Sequence, residues 1–181
     1  KNGEIDFNNI PIHKFETYQR VGVGISHVLE RRRVFPYLTV LQNLLLGAYH
    51  EKAKAEREKS LQDIYNFFPK LKDRSSQIAN TMSGGEQQML AIGRGLMGMP
   101  KLLMVDEPFL GLAPLVIEDL KLIFKKIAER GIAILFVEQN VRLALSMANR
   151  GYILESGRLV IDGASKDLVD SKEVKRVFLG S

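Results

Sequence analysis

Two short segments of this sequence combine residue types that could act on a phosphate group. The first is residues 83–86, SGGE, where a serine and two glycines precede a run of helix-forming residues. Free backbone N–H groups at a helix N-terminus, together with the helix dipole, attract anions, so this segment could bind a phosphate. An ordinary helix cap explains the same residues at least as well, because Ser-x-x-Glu is also the pattern of a capping box.

The second segment ends in two consecutive carboxylates, Asp106 and Glu107, after four apolar residues at 102–105. Such an apolar run is typical of a buried parallel strand, and ligands of open parallel sheets bind at the carboxyl edge. One carboxylate there could hold Mg²⁺, directly or through water, and its neighbour could act as a base on an attacking water. A solvated strand end would also explain the two carboxylates. The more informative feature is that Asp106 follows Ser83 by 23 residues, which is enough for one helix and a turn.

Helices and strands alternate around these two segments. Apolar periodicity and capping residues predict helices over residues 38–49, 51–68, 83–97 and 141–148, with another that starts at Pro114. Buried strands are predicted over residues 102–105 and 132–137, and Ser156-Gly157 predicts a two-residue hairpin turn. This order predicts an α/β fold in which a parallel sheet is covered by helices.

Composition and charge narrow the class of protein. The chain has 181 residues, 45% hydrophobic and 26% charged, which is ordinary for one globular domain and excludes collagen-like, mucin-like and wholly disordered classes. Cysteine is absent, which excludes a disulfide scaffold, a thiolate metal site and a cysteine nucleophile. The net charge of +5 would suit nucleic acid, nucleotide phosphates or an anionic membrane, and alone it decides nothing.

Taken together, in this order and at this spacing, the two segments resemble the nucleotide-binding subunits of ATP-binding cassette (ABC) transporters. Residues 82–87, MSGGEQ, are similar to the LSGGQ signature, and residues 102–107 are similar to Walker B followed by the catalytic glutamate. Other segments resemble one branch, the ATPases of branched-chain amino acid importers. These segments are residues 30–36 (ERRRVFP), 86–94 (EQQMLAIGR), 111–114 (GLAP), 137–140 (VEQN) and 152–157 (YILESG).

The resemblance implies an α/β, P-loop NTPase-type ABC ATPase domain and a role for each site residue. Asp106 would hold Mg²⁺ through water, and Glu107 would polarise the attacking water. Gln139 would occupy the position of the switch histidine, and Glu30 would stand at the Q-loop position that couples the nucleotide site to the membrane subunit. The residues expected to contact ATP held by a partner subunit are Ser83, Gly84, Gly85 and Glu86.

The resemblance also implies an organisation. It places a helical subdomain at about residues 39–95, a RecA-like core from about residue 100, and a hairpin followed by helices over 151–181. No G-x-x-x-x-G-K-[ST] loop, the Walker A motif, occurs in the sequence, so we expect the chain to start downstream of that loop, without the N-terminal part of the domain, and to bind ATP poorly by itself. Three residues depart from the pattern of this branch. They are Leu29, Arg31 and Phe109, where the branch usually has Pro, Gly and Ser respectively.

The implied cofactors are ATP and Mg²⁺. The implied partners are membrane permease subunits, a second ABC ATPase subunit that is identical or different, and indirectly a periplasmic solute-binding protein, with no nucleic acid. This places the protein peripherally on the cytoplasmic face of the inner membrane. Three alternatives stay open: a related urea or amide importer ATPase, a non-transport ABC ATPase, and an adaptor that keeps the fold without catalysis.

Overall fold

The computed structural model describes residues 3–171 and residue 174, and it has the alternating helices and strands that the sequence predicts. The helices are α1 Thr17–Gly22, α2 Val40–Gly47, α3 Glu51–Ala55, α4 Arg57–Phe67, α5 Pro69–Asp73, α6 Gly84–Leu96, α7 Pro114–Glu129, α8 Val141–Met147 and α9 Ser165–Leu168. The strands are β1 Asp6–Phe7, β2 Ile10–Pro11, β3 Ile25–Val28, β4 Leu102–Asp106, β5 Ala133–Val137, β6 Arg150–Glu155 and β7 Arg158–Ala164. Most of the predicted C-terminal helical segment lies outside the described residues.

The chain forms two compact units, one up to Leu135 and one from Phe136 onward. The first contains β3, β4 and the start of β5, strands that form a sheet in the order β3-β4-β5. Strands β3 and β4 are parallel, in a register that pairs Val28 with Val105. Their carboxyl ends therefore meet at one edge of the sheet, as expected for an α/β fold.

Burial differs between the strands of this sheet. In β4, Leu103 and Val105 are almost completely buried, as predicted. The prediction of a fully buried strand is wrong for β5, where Leu135 and Val137 are 47% and 58% exposed. Strand β5 stands at the end of the sheet order, so it has a strand neighbour on one side only among the described residues.

The helices before β4 pack around the apolar face of α6. Leu44 of α2 and Leu90 of α6 are fully buried, and a Cβ built on Gly93 would lie 3.0 Å from Leu44 Cδ2, so a larger residue at this position would require the Leu44 side chain to shift. The single helix predicted over 51–68 is interrupted: α3 ends before Glu56, which leaves the helical conformation, and α4 follows it. Pro69 ends α4 as predicted but also begins α5, since the first position of a helix needs no N–H donor.

The second unit has a core of its own. Strands β6 and β7 form an antiparallel hairpin whose turn residues, Ser156 and Gly157, both have left-handed φ values of 49° and 78°, which confirms the predicted two-residue turn. Its buried apolar cluster consists of Leu145, Ile153, Leu168 and Val174. Over both units, no helix in the described part of the chain has the length and apolarity needed to cross a bilayer.

Candidate functional site

Three of the predicted site residues lie at the carboxyl edge of the β3–β4 pair. Asp106 is the last residue of β4, and Glu107 follows it. Val28 of β3 is paired with Val105 of β4. Glu30 and Glu107 each follow their member of this pair by two residues. The fold thus brings the predicted Q-loop residue and the two predicted Walker B carboxylates to the same edge of the sheet.

Glu107 has an unusual backbone conformation for a residue that is not glycine. Its φ is 47°, in the left-handed region, and its carbonyl accepts a hydrogen bond from the N–H of Leu110 at 3.3 Å. Left-handed conformations of such residues are sparse and cluster at functional sites. Glu107 lies beyond β4, so the turn rather than strand alternation sets the direction of its side chain.

Ser83 caps α6 in the capping box that the sequence predicts. The Ser83 backbone N–H and the Ser83 hydroxyl each donate to Glu86 Oε2 at 2.9 Å, and the Glu86 N–H donates to Ser83 Oγ at 3.4 Å. Ser83 is exposed, and Gly84 and Gly85 are partly exposed. The helix start is therefore ordered and accessible, with backbone N–H groups available at its positive end.

Glu86 carries a second contact that the sequence did not indicate. The Arg74 guanidinium lies 3.3 Å from Glu86 Oε1. Partial burial acts to raise the pKa of Glu86, but the hydrogen bonds from Ser83 and the positive charges of Arg74 and Lys70 outweigh it and hold this pKa below its usual value. Glu86 is consequently a charged part of the cap and already accepts the hydrogen bond that the Ser83 hydroxyl can donate.

The start of α6 packs directly on the start of α7. A Cβ built on Gly85 would lie 2.9 Å from Val116 Cγ1, so the glycine is needed for this close approach. The loop between β4 and α7 is anchored from inside by Phe109, whose ring meets Phe124 edge-on with centroids 5.9 Å apart. The SGGE segment and the loop that follows the two carboxylates are thus held by one helix, α7.

A buried polar cluster holds the loop that follows β3. The Asn43 side chain is fully buried, accepts from the Phe35 N–H at 2.8 Å and donates to the Phe35 carbonyl at 3.0 Å. Arg94 of α6 donates to the Arg33 carbonyl at 2.6 Å and lies 5.0 Å from the Phe35 ring centroid. Burial lowers the pKa of Arg94, though a guanidinium stays charged. Sequence reasoning missed Arg94 because its partner Arg33 lies 61 residues away, and it missed Asn43 because its partners lie in an irregular loop.

Gln139 belongs to the second unit. It is exposed and lies just after β5, and the next residue, Asn140, caps α8 by accepting a hydrogen bond from the Leu143 N–H at 3.0 Å. Its predicted role beside the carboxylates stays a prediction.

The carboxylates have the chemistry that Mg²⁺ prefers, since this ion is bound through one or two carboxylates together with water and substrate phosphates. Within the described residues, no group of three or more His, Cys, Asp or Glu side chains is arranged to hold a metal ion. Asp106 can supply one oxygen ligand at the sheet edge, which fits a magnesium ion that takes most of its ligands from nucleotide and water.

Comparison with known proteins identifies the family. The sequence profile described as ABC transporter matches residues 1–110, more than half of the chain. A solved structure of a nucleotide-free ATP-binding cassette from an ABC transporter superimposes with a TM-score of 0.83, at 23% identity, over 99% of this chain and 78% of that chain. The chain belongs to the ABC transporter family, whose members hydrolyse ATP, and it has the α/β, P-loop NTPase-type fold of that family.

Two curated relatives place the chain within the family. The high-affinity branched-chain amino acid transport ATP-binding protein BraG of Pseudomonas aeruginosa is 45% identical over 157 residues, covering 87% of this chain and 67% of BraG. The lipopolysaccharide export system ATP-binding protein LptB of Haemophilus influenzae is 30% identical over 178 residues, covering 97% of this chain and 71% of LptB. The chain thus spans about two thirds of the length of the curated relatives it matches.

Proposed function

We propose that this chain belongs to the ATP-hydrolysing subunit of an importer for branched-chain amino acids. The observation that carries the proposal is the 45% identity to BraG, well above the 30% identity to LptB. The lipopolysaccharide exporter ATPase is the less similar relative. A role in lipopolysaccharide export would therefore contradict the proposal.

In the proposed reaction, the carboxylates at the sheet edge act on Mg²⁺ and water. Asp106 holds the ion through water, and Glu107 orients and deprotonates the water that attacks the γ-phosphate. The left-handed φ of 47° at Glu107 supports this role, because a strained backbone at a reactive carboxylate is a common feature of active sites. Gln139 takes the sensor position after β5.

The start of α6 acts on the nucleotide of a second ATPase subunit. Ser83, Gly84 and Gly85 contact the γ-phosphate through the exposed helix start, and Glu86 orders that start through its capping box with Ser83. ATP binding therefore favours the closed pair of subunits, and hydrolysis releases it. Glu30 couples this site to membrane permease subunits on the cytoplasmic face, and a periplasmic solute-binding protein delivers the amino acid to them.

Uptake measurements test the proposed substrate. In the organism that encodes this sequence, deletion of the gene is expected to abolish high-affinity uptake of radiolabelled leucine, isoleucine and valine. The wild-type gene should restore uptake, and the Glu107→Gln gene should not. Proline and urea uptake are the controls and should not change. Normal leucine uptake in the deletion strain, with defective lipopolysaccharide export or urea uptake instead, would overturn the assignment.

A further inference from the structure

Three consecutive arginines after β3 form a turn with an unusual backbone. Arg31, Arg32 and Arg33 all have left-handed φ values, of 61°, 66° and 43°. The N–H of Arg33 donates to the carbonyl of Arg31 at 2.7 Å, which closes a three-residue turn centred on Arg32. We call residues 31–33 the arginine turn. Such conformations persist only where the surrounding structure holds them, and here Arg94 holds the Arg33 carbonyl at 2.6 Å.

The arginine turn places the Arg32 side chain against two segments of the candidate site. A Cβ built on Gly84 would lie 2.8 Å from Arg32 Nη1 and 2.9 Å from Cζ, so the guanidinium lies directly on the backbone at the start of α6. A Cβ built on Gly111 would lie 3.9 Å from Arg32 Nη2, within van der Waals contact. One side chain therefore contacts the start of α6 and lies near the loop that follows Asp106 and Glu107.

The charge of Arg32 is not balanced by the residues around it. Across residues 3–171, no carboxylate pairs with its guanidinium and no acceptor forms a hydrogen bond with it, whereas the neighbouring Arg31 pairs with Glu30 at 3.4 Å. The guanidinium also lies beside the positive end of the α6 dipole, where a cation is electrostatically unfavourable. Arg32 is thus held in contact with α6 by the turn, and its charge raises the positive potential there.

We propose that Arg32 is a positioning residue for ATP-dependent closure, because it contacts the start of α6 beside the loop at Gly111 and keeps that helix start positive. This inference rests on the proposed ATPase function. It predicts that Arg32 matters little to the stability of the nucleotide-free chain and much to the response to ATP, since its contact with α6 is sterically close but electrostatically unfavourable.

The test uses the gene product that carries this sequence, as wild type and as the variants Arg32→Ala, Arg32→Lys and Arg57→Ala. Arg57 is exposed at the start of α4 and serves as the control. Its replacement also removes one positive charge, but not at the start of α6. ATPase rates over a range of ATP concentrations give KM and kcat separately, and thermal unfolding without nucleotide gives Tm. We expect Arg32→Ala to raise KM about fivefold, the size of a one-charge effect at a helix terminus, with a smaller change in kcat and no fall in Tm. Arg32→Lys keeps the charge without the planar group, so its KM should lie between those of wild type and Arg32→Ala.

Three results would count against the inference, and they can be told apart. A KM of Arg32→Ala equal to that of Arg57→Ala, in an active wild-type protein, would overturn the role of Arg32 alone. A fall of several degrees in the nucleotide-free Tm of Arg32→Ala would make the residue an ordinary structural contact. A wild-type protein without ATPase activity would overturn the proposed function and, with it, the role of Arg32.

Discussion

Glu107 is the residue whose chemistry can be tested most directly. The Glu107→Gln substitution keeps the size and hydrogen-bonding capacity of the side chain but removes the charge that would deprotonate the attacking water. In the gene product that carries this sequence, ATP turnover is expected to fall by roughly 10²- to 10⁴-fold, with ATP affinity retained. Asp106→Asn should weaken Mg²⁺ binding as well, so that turnover requires a higher Mg²⁺ concentration. Turnover of Glu107→Gln at the parent rate would move the catalytic role elsewhere, with Gln139 as the next candidate.

Glu86 makes the stability of the α6 start depend on pH. Its pKa is lower in the folded chain than in the unfolded chain, so its ionic contribution is present above the usual carboxyl pKa and is lost as pH falls through the folded value. The Glu86→Gln variant should unfold with about 0.5 kcal/mol less free energy than wild type at pH 6, and this difference should be smaller at pH 3. Urea unfolding of both chains at the two pH values measures it. A constant difference at both values would refute the ionic contribution.

The family resemblance implies glycine at the position of Arg31, and the backbone conformation there shows what the arginine costs. Its φ of 61° is unfavourable for a side chain but not for glycine. Arg31→Gly is expected to raise the free energy of unfolding by about 0.5–1 kcal/mol, because the relief of strain exceeds the added chain entropy. Arg57→Gly, at the first position of α4, is the matched control and should lower stability. Chemical denaturation measures the change in the free energy of unfolding. A loss of stability in both variants would show that Arg31 is not strained.

At the scale of elements, Phe109 fixes the loop between β4 and α7. Its ring is 5% exposed and packs edge-on against Phe124, so Phe109→Ala should leave a cavity and lower the free energy of unfolding by about 3 kcal/mol. The neighbouring Leu110 is 52% exposed, and Leu110→Ala should change stability little. Equal losses for the two variants, measured by denaturant titration, would show that the ring does not anchor the loop.

The same elements show what sequence reasoning could and could not reach. The capping box of Ser83 with Glu86 and the hairpin turn at Ser156 were predicted correctly, because their partners lie within a few residues. The grouping of Glu30 with the carboxylates after β4 needed the parallel register, which the family resemblance only implied. The contact of Arg32 with Gly84 depends on how segments distant in the sequence pack, and the break at Glu56 is marked by neither glycine nor proline.

At the scale of the whole molecule, the exposed side of β5 should control self-association. Leu135 and Val137 present apolar surface on a strand with one sheet neighbour among the described residues, and such edges pair with other chains. The 181-residue chain is expected to self-associate as its concentration rises, and Leu135→Lys should reduce this. Leu122→Lys, on an exposed position of α7, is the control. Sedimentation velocity that gives one monomeric species for wild type at all concentrations would contradict this expectation.

The separate core of the second unit has a consequence for how the chain folds. Its buried residues, Leu145, Ile153, Leu168 and Val174, form one apolar cluster within the unit, and its hairpin closes through a two-residue turn. Short-range contacts of this kind form quickly, because little loop entropy is lost before they are made. During synthesis on the ribosome, the region from Phe136 onward emerges after the first unit and can collapse on its own hairpin, and it should exchange its amide hydrogens as a cooperative group with its own opening rate.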